Sequence, residues 1–334
     1  MSEHARVRWG VLGPGRIADQ EVPDVALVPG SEVVAVGSRS QQRADAFAAR
    51  HGIARAHGSY RALLADDGID AVYVATPHPQ HRELTLAAID AGKAVLVEKS
   101  FTATAAGTRE VVARSRSAGV FVMEAMWTRF QPAVLRVGEL LADGAIGEVT
   151  GVQADLGVLA PEDPTDRFWD PAQGGGALLD LGVYLVSFAQ LVLGDPDRVV
   201  AHGSRAETGV EREASLLLGY DDGRAATLSM SLRSPMPGGA RVFGTAGWID
   251  VPPRFHHPSR LVLHRHGHDP QTLELPPTGR GYSHQFAEVA RCLGAGLTES
   301  PRMPLADTVA VMDVLTEAAT QLGVTQHEDD SALA

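Results

Sequence analysis

A rhythm in the first 125 residues constrains the fold more than any other feature of this sequence. Short apolar runs at 7–12, 31–37, 69–75, 94–98 and 120–124 alternate with amphipathic stretches at 40–51, 81–91 and 103–117. Each run is too short for a helix and mostly apolar, as expected of a strand buried on both faces. Gly92 and Gly119 follow two of the helical stretches, where a left-handed closing residue is favoured. Strands that alternate with helices at this spacing predict a parallel, doubly wound sheet with right-handed crossovers.

After Met126 the rhythm changes. A helix over about 132–143 leads into an alternating strand at 148–158, then a loop rich in Pro and Asp at 160–171 and a helix at 176–193. Runs at 198–206, 214–220, 225–232, 241–243, 248–251 and 261–265 follow one another without helices between them, and helices at 282–293 and 306–322 come last. Successive strands of this kind predict a mostly antiparallel open sheet. The fold class expected is therefore α/β: a Rossmann-type domain at 1–125, then an α+β substrate and oligomerisation domain at 126–334.

The first strand ends in Gly10-Val11-Leu12-Gly13-Pro14-Gly15-Arg16-Ile17-Ala18. Gly13 permits the tight turn, Gly15 lets the backbone approach a pyrophosphate, and Ala18 lets helix and strand pack closely. Arg16 and Ile17 open the helix, whose unpaired N–H groups suit an anion. After the second strand an NAD enzyme usually carries a carboxylate for the ribose 2′-hydroxyl. Here the sequence reads Ser38, Arg39 and Ser40, with Arg43 one turn on. Two arginines and a hydroxyl suit a 2′-phosphate, so NADP is expected, with NAD as the other possibility.

A formal net charge of −12 argues against a general nucleic-acid binder or a partner for anionic membranes. The single cysteine, Cys292, cannot form an intrachain disulfide, which suits a reducing compartment. The amino-terminal residues do not read as a signal peptide, and Gly, Asp or Pro interrupt the apolar runs before about 20 residues. A cytoplasmic protein is expected. His264, His266 and His268 alternate as strand-borne metal ligands sometimes do, yet no carboxylate or cysteine cluster accompanies them, so no metal is expected.

Thr76-Pro77-His78-Pro79-Gln80-His81 and Glu98-Lys99-Ser100 resemble two motifs of the Gfo/Idh/MocA oxidoreductase family, a TP-x-x-x-H turn and an EKP turn. The segments 123–130, 174–184, 207–210 and 300–305 resemble its dimeric dihydrodiol dehydrogenase and NADP-dependent D-xylose dehydrogenase branch. The resemblance implies that Thr76, Pro77, His78, His81, Glu98 and Lys99 meet the cofactor. It further implies that Lys99 and Tyr184 handle the proton that accompanies hydride transfer, and that Asp180 orients the pair or holds a substrate hydroxyl. Where relatives have proline, this chain has Ser100, which should loosen the turn without removing a catalytic group.

A free tyrosine titrates near ~10, and a lysine cation beside it favours the phenolate, so the assignment is chemically sound. Asp180 and Tyr184, four apart, would share one face of an α-helix. Trp127, Arg129 and Phe130 are candidates for the substrate pocket, with ordinary packing an equal account of the two aromatics. Arg167, Phe168 and Trp169 lie in a loop placed to cover the site. The implied activity is oxidoreduction of a sugar, cyclic diol or related small molecule by a homodimer joined through the second sheet. A non-catalytic NAD(P)-sensing regulator of the same fold is the alternative, and it has no use for Lys99 and Tyr184 together.

Overall fold

A computed structural model describes residues 6–333. They fall into two compact units. The first takes the described residues up to Met126, then Thr278–Val309 and those from Glu328 on, and the second takes Trp127–Pro277 and Ala310–His327. A single division at residue 125 thus describes only the first crossing of the chain.

In the first unit, β1 (Val7–Leu12), β2 (Ser31–Gly37), β3 (Arg55–His57), β4 (Ala71–Val74), β5 (Ala94–Val97) and β6 (Val122–Glu124) form one sheet in the order β3-β2-β1-β4-β5-β6. All its pairings are parallel. The order reverses beside β1, which puts the carboxyl ends of β1 and β4 at the crevice where such sheets bind ligands. Helices α1 (Arg16–Val25), α2 (Gln41–His51), α3 (Tyr60–Leu64), α4 (His81–Asp90) and α5 (Ala105–Ala118) make the crossovers. Leu12, Leu63, Val72, Val74, Leu84, Val95, Val97, Phe101 and Val111 bury the interior. β3 and α3, three and five residues long, escape the periodicity reading because neither completes a repeat.

The later segment of this unit is tied down by polar bonds. The Asp24 carboxylate accepts the backbone N–H groups of Arg280, Tyr282 and Ser283. Trp9 meets Phe286 edge to face at 5.1 Å. Phe286 lies on α8 (Ser283–Gly294).

The second unit opens with α6 (Pro132–Ala142) and β7 (Val149–Gly157), continues through α7 (Val183–Leu193), and then lays down seven strands. These are β8 (Arg198–Arg205), β9 (Glu211–Gly219), β10 (Ala225–Ser231), β11 (Ala240–Gly244), β12 (Gly247–Val251), β13 (Arg260–Arg265) and β14 (Gln271–Glu274). The sheet order is β14-β13-β12-β11-β7-β10-β9-β8, antiparallel throughout except for β7 beside β10. The unit boundary at Val309 falls within the last helix, α9 (Leu305–Leu322). The expected helix at 176–193 is in fact two pieces: Leu178–Gly182 is a π-helical turn, and α7 follows it. The stretch Pro171–Leu193 reaches the length and hydropathy of a membrane-crossing helix, but 89% of its apolar window is buried in the protein, as in a core helix.

Candidate active site

The glycine turn is built as its sequence requires. Gly13 has φ +99°, and a Cβ there would lie 2.9 Å from Thr76 Cγ2 and 3.0 Å from the Ala75 carbonyl oxygen. Gly15 precedes α1 in extended conformation, and no side chain caps the helix. The N–H groups of Arg16, Ile17 and Ala18 therefore open a helix whose positive end no side-chain oxygen occupies. Beside it, Thr76 is buried and its Oγ1 has no hydrogen-bond partner in the protein. A buried hydroxyl without a partner next to a cradle that a Cβ would fill fits a dinucleotide. These residues suit the cofactor.

At the end of β2, Ser38 is buried and its Oγ accepts the Ser40 N–H at 3.2 Å. Ser40 in turn caps α2 by accepting the Arg43 N–H. Arg39 and Arg43 are exposed, and both exert their charge on Tyr60. At the end of β4, His81 lies fully buried between two turns, with its ring nitrogens 2.8 Å from the Thr76 carbonyl and 2.8 Å from the Ser100 carbonyl. Burial lowers its pKa, with the two carbonyls opposing, so at neutral pH the ring is uncharged and donates to one carbonyl at a time. Thus His81 couples the Thr76-Pro77 turn to the Lys99-Ser100 turn, and His78 stands against its ring at 5.7 Å. Ser100 is itself buried, and the Lys99–Ser100 peptide bond is cis.

Glu98 turns its carboxylate into the protein. It accepts the Tyr73 hydroxyl at 2.7 Å and bonds the carboxyl of Glu21, which accepts the Gln285 amide at 2.9 Å. Both acids are buried, and burial pushes both upward; Glu21 is raised further by the charge of Glu98. Two buried carboxyls in contact hold one proton between them. The Lys99 cation favours ionised Glu98, so Glu21 carries that proton.

In the second unit, the segment after β6 places Trp127, Arg129 and Phe130 on a short 3₁₀ turn, all buried. The Trp127 indole N–H donates to the Tyr184 hydroxyl oxygen at 3.2 Å. Arg129 directs its guanidinium to α7, donating to Ser187 Oγ at 3.0 Å and to Gln190. It fixes the turn that carries Trp127. Phe130 is 2% exposed and packs inside the unit. Asp180, in the π-helical turn, pairs with Arg167 at 3.1 Å. The loop that holds Arg167, Phe168 and Trp169 is fastened to the glycine run, since the Gly176 N–H donates to the Phe168 carbonyl. A Cβ on Gly175 would come within 2.7 Å of that same carbonyl oxygen.

Sequence reasoning missed the segment 252–259. His256 stands 5.2 Å from the Tyr184 ring, and His257 stacks on Trp127 at 5.1 Å. The Thr128 hydroxyl holds this segment by donating to the His256 carbonyl. Burial, aided by the Arg254 cation, lowers the His257 pKa, so this ring is neutral at pH 7. The available signal was the run Pro252-Pro253-Arg254-Phe255-His256-His257 itself, which periodicity does not register; in the structure Arg254 takes φ +69°. His264 stacks on Trp248 and pairs with Asp250, while His266 and His268 lie beyond the end of β13. No three His, Cys, Asp or Glu among the described residues form a group able to hold a metal ion.

Comparison with known proteins agrees with this geometry. Residues 7–126 match the profile of an oxidoreductase family with an NAD-binding Rossmann fold, and residues 134–250 match the GFO/IDH/MocA C-terminal domain. The chain is 38% identical to trans-1,2-dihydrobenzene-1,2-diol dehydrogenase of Mus musculus, over 97% of this chain and 99% of the relative. It is 39% identical to the protein of the same name from Oryctolagus cuniculus, over 96% and 99%. A 3-ketoreductase from Actinomadura kijaniata, solved with NADP and TDP-benzene, superposes with a TM-score of 0.84 at 28% identity, covering 94% of this chain and 97% of that one. An aldose-aldose oxidoreductase from Caulobacter crescentus, solved with glycerol, gives 0.86 at 25% identity, covering 95% and 98%. This chain is an NAD(P)-dependent oxidoreductase and belongs to the Gfo/Idh/MocA family.

Proposed function

We propose that this oxidoreductase prefers NADP and acts on the hydroxyl group of a sugar or cyclic diol, with Lys99 and Tyr184 handling the proton. The observation that carries the reading is the indole N–H of Trp127 aimed at the Tyr184 hydroxyl oxygen. A donor on that oxygen favours the phenolate, the form that takes a proton from a substrate hydroxyl. When bound, the nicotinamide supplies or accepts the hydride.

Tyr184 then exchanges the hydroxyl proton, and the Lys99 ammonium stabilises the negative oxygen that develops. Asp180, held by Arg167, accepts a second substrate hydroxyl. Trp127, His256 and His257 form a cluster of flat aromatic rings of the kind that suits a sugar or a cyclic diol. The relatives named for a dihydrodiol and for aldoses support this substrate class. Gly13, Gly15, Arg16, Ile17 and the Thr76–His81 turn hold the dinucleotide, and Ser38, Arg39 and Arg43 recognise its 2′-phosphate. The domain division at residue 125 is read as cofactor binding before it and substrate binding and oligomerisation after it.

A homodimer joined through the outer face of the second sheet completes the proposal. Val200 and Leu217 leave 56% and 45% of their surface exposed on strands of that sheet.

The test is a screen of aldoses, cyclitols and trans-dihydrodiols followed by NADPH absorbance, with NAD in parallel. On any substrate found, Lys99→Met and Tyr184→Phe are each expected to lower turnover by about 100-fold or more, with NADP affinity within a few-fold of wild type. Wild-type rates in both variants would refute the proton assignment.

A further inference from the structure

The residues from Glu328 onward do not trail free. Glu328 accepts the Thr104 N–H and hydroxyl at 2.9 and 2.7 Å, and Asp330 pairs with Arg82. The Leu333 N–H donates to Glu83, and its carbonyl accepts from Arg61 at 3.1 Å. Between these anchors, Asp329 lies on the cofactor turn itself. Its N–H donates to the Pro79 carbonyl at 2.8 Å, and its carboxylate accepts the Gln80 amide at 3.1 Å. Ser331 folds back and donates both its N–H and its hydroxyl to the same carboxylate, at 3.0 and 2.6 Å. The acid is thus fixed in place, and these bonds hold it in its charged form.

The fixed charge lies near the end of β2. The Ser331 hydroxyl is the largest influence on the Asp329 carboxylate, and the Arg39 cation also acts on it. The geometry agrees: Arg61, which holds the Leu333 carbonyl, lies on α3 four residues after His57, whose carbonyl accepts the Ser38 N–H at the end of β2 at 3.0 Å. A carboxylate fixed at this place draws on the arginine assigned above to the 2′-phosphate.

We propose that Asp329 is a specificity-determining residue of the cofactor site, pinned on the Thr76–His81 turn so that its charge offsets Arg39 and moderates the preference for NADP over NAD. This rests on the reading that Arg39 meets the 2′-phosphate. An exposed charge pair typically changes an equilibrium by a factor of about two to five, and salt weakens it.

The test is calorimetric titration of the whole protein with NADP⁺ and with NAD⁺, for wild type, Asp329→Asn, Arg39→Ala and the double variant. The expected result is that Asp329→Asn binds NADP⁺ about three-fold tighter with NAD⁺ unchanged, that the gain fades at high salt, and that it vanishes when Arg39 is alanine. An unchanged NADP⁺ affinity, or an equal shift for both dinucleotides, overturns the inference even where Arg39→Ala weakens NADP⁺ selectively. If Arg39→Ala has no selective effect, the 2′-phosphate reading falls and this inference falls with it.

Discussion

Glu211 supports the turn that carries Asp180, at a measurable cost. It is buried, and its Oε1 accepts the Leu178 N–H at 2.7 Å, at the first residue of the π-helical turn. Gly176, with φ +112°, makes room for it, since a Cβ there would lie 2.4 Å from the same oxygen. Burial raises the Glu211 pKa from 4.5 to about 7, and the Leu178 N–H only partly opposes this.

The folded protein therefore holds this proton more tightly than the unfolded chain does. The stabilisation is complete below about 4.5 and is lost as pH rises toward about 7. At about 1.4 kcal/mol per pH unit, the loss is about 3 kcal/mol. Glu211→Gln keeps an acceptor for Leu178 and removes the titration. Its thermal midpoint should match that of wild type near pH 5 and exceed it at pH 8 by roughly 6–10 °C, if the second unit melts as one domain. Differential scanning calorimetry from pH 5 to 8.5 measures this. A difference between the two proteins that stays flat across that range would refute the reasoning.

Two further outcomes follow from the geometry. Gly13→Ala should raise the NADP⁺ dissociation constant at least about ten-fold, because a Cβ at φ +99° strains the backbone and presses on Thr76, and calorimetric titration reads the loss. Sedimentation at micromolar concentration should show a dimer, and an Arg placed at Leu217 should shift it to monomer; a wild-type monomer would sink the proposed sheet contact.

The first unit was legible because buried parallel strands announce themselves as short apolar runs between glycine-closed helices. The glycine turn could be placed to the residue because only glycine adopts the conformation of Gly13 without strain. What escaped notice depends on contacts distant in sequence. Nothing around Asp24 indicates that its carboxylate will receive the amides of residues 280–283. The strand β14 is polar and mostly exposed, so it carries no apolar period. The motif at Glu98 points to the cofactor, and its link to Tyr73 and Glu21, which ties the end of β5 to β4 and α1, leaves no trace in the sequence. The histidines at 256 and 257 sit in an irregular segment, where spacing holds no information about direction.

The π-helical turn at Leu178–Gly182 has a consequence for how the protein could have arisen. A single π-turn is an α-helix that has accepted one surplus residue. Everything after it is rotated by about 100° relative to an uninterrupted helix, and Tyr184 is the second residue past the insertion. The direction of the tyrosine toward Trp127 thus depends on the length of this turn as well as on the residue at 184. In a lineage of such helices, gain or loss of one codon in this turn would re-aim the hydroxyl in a single step, which no point substitution at position 184 achieves.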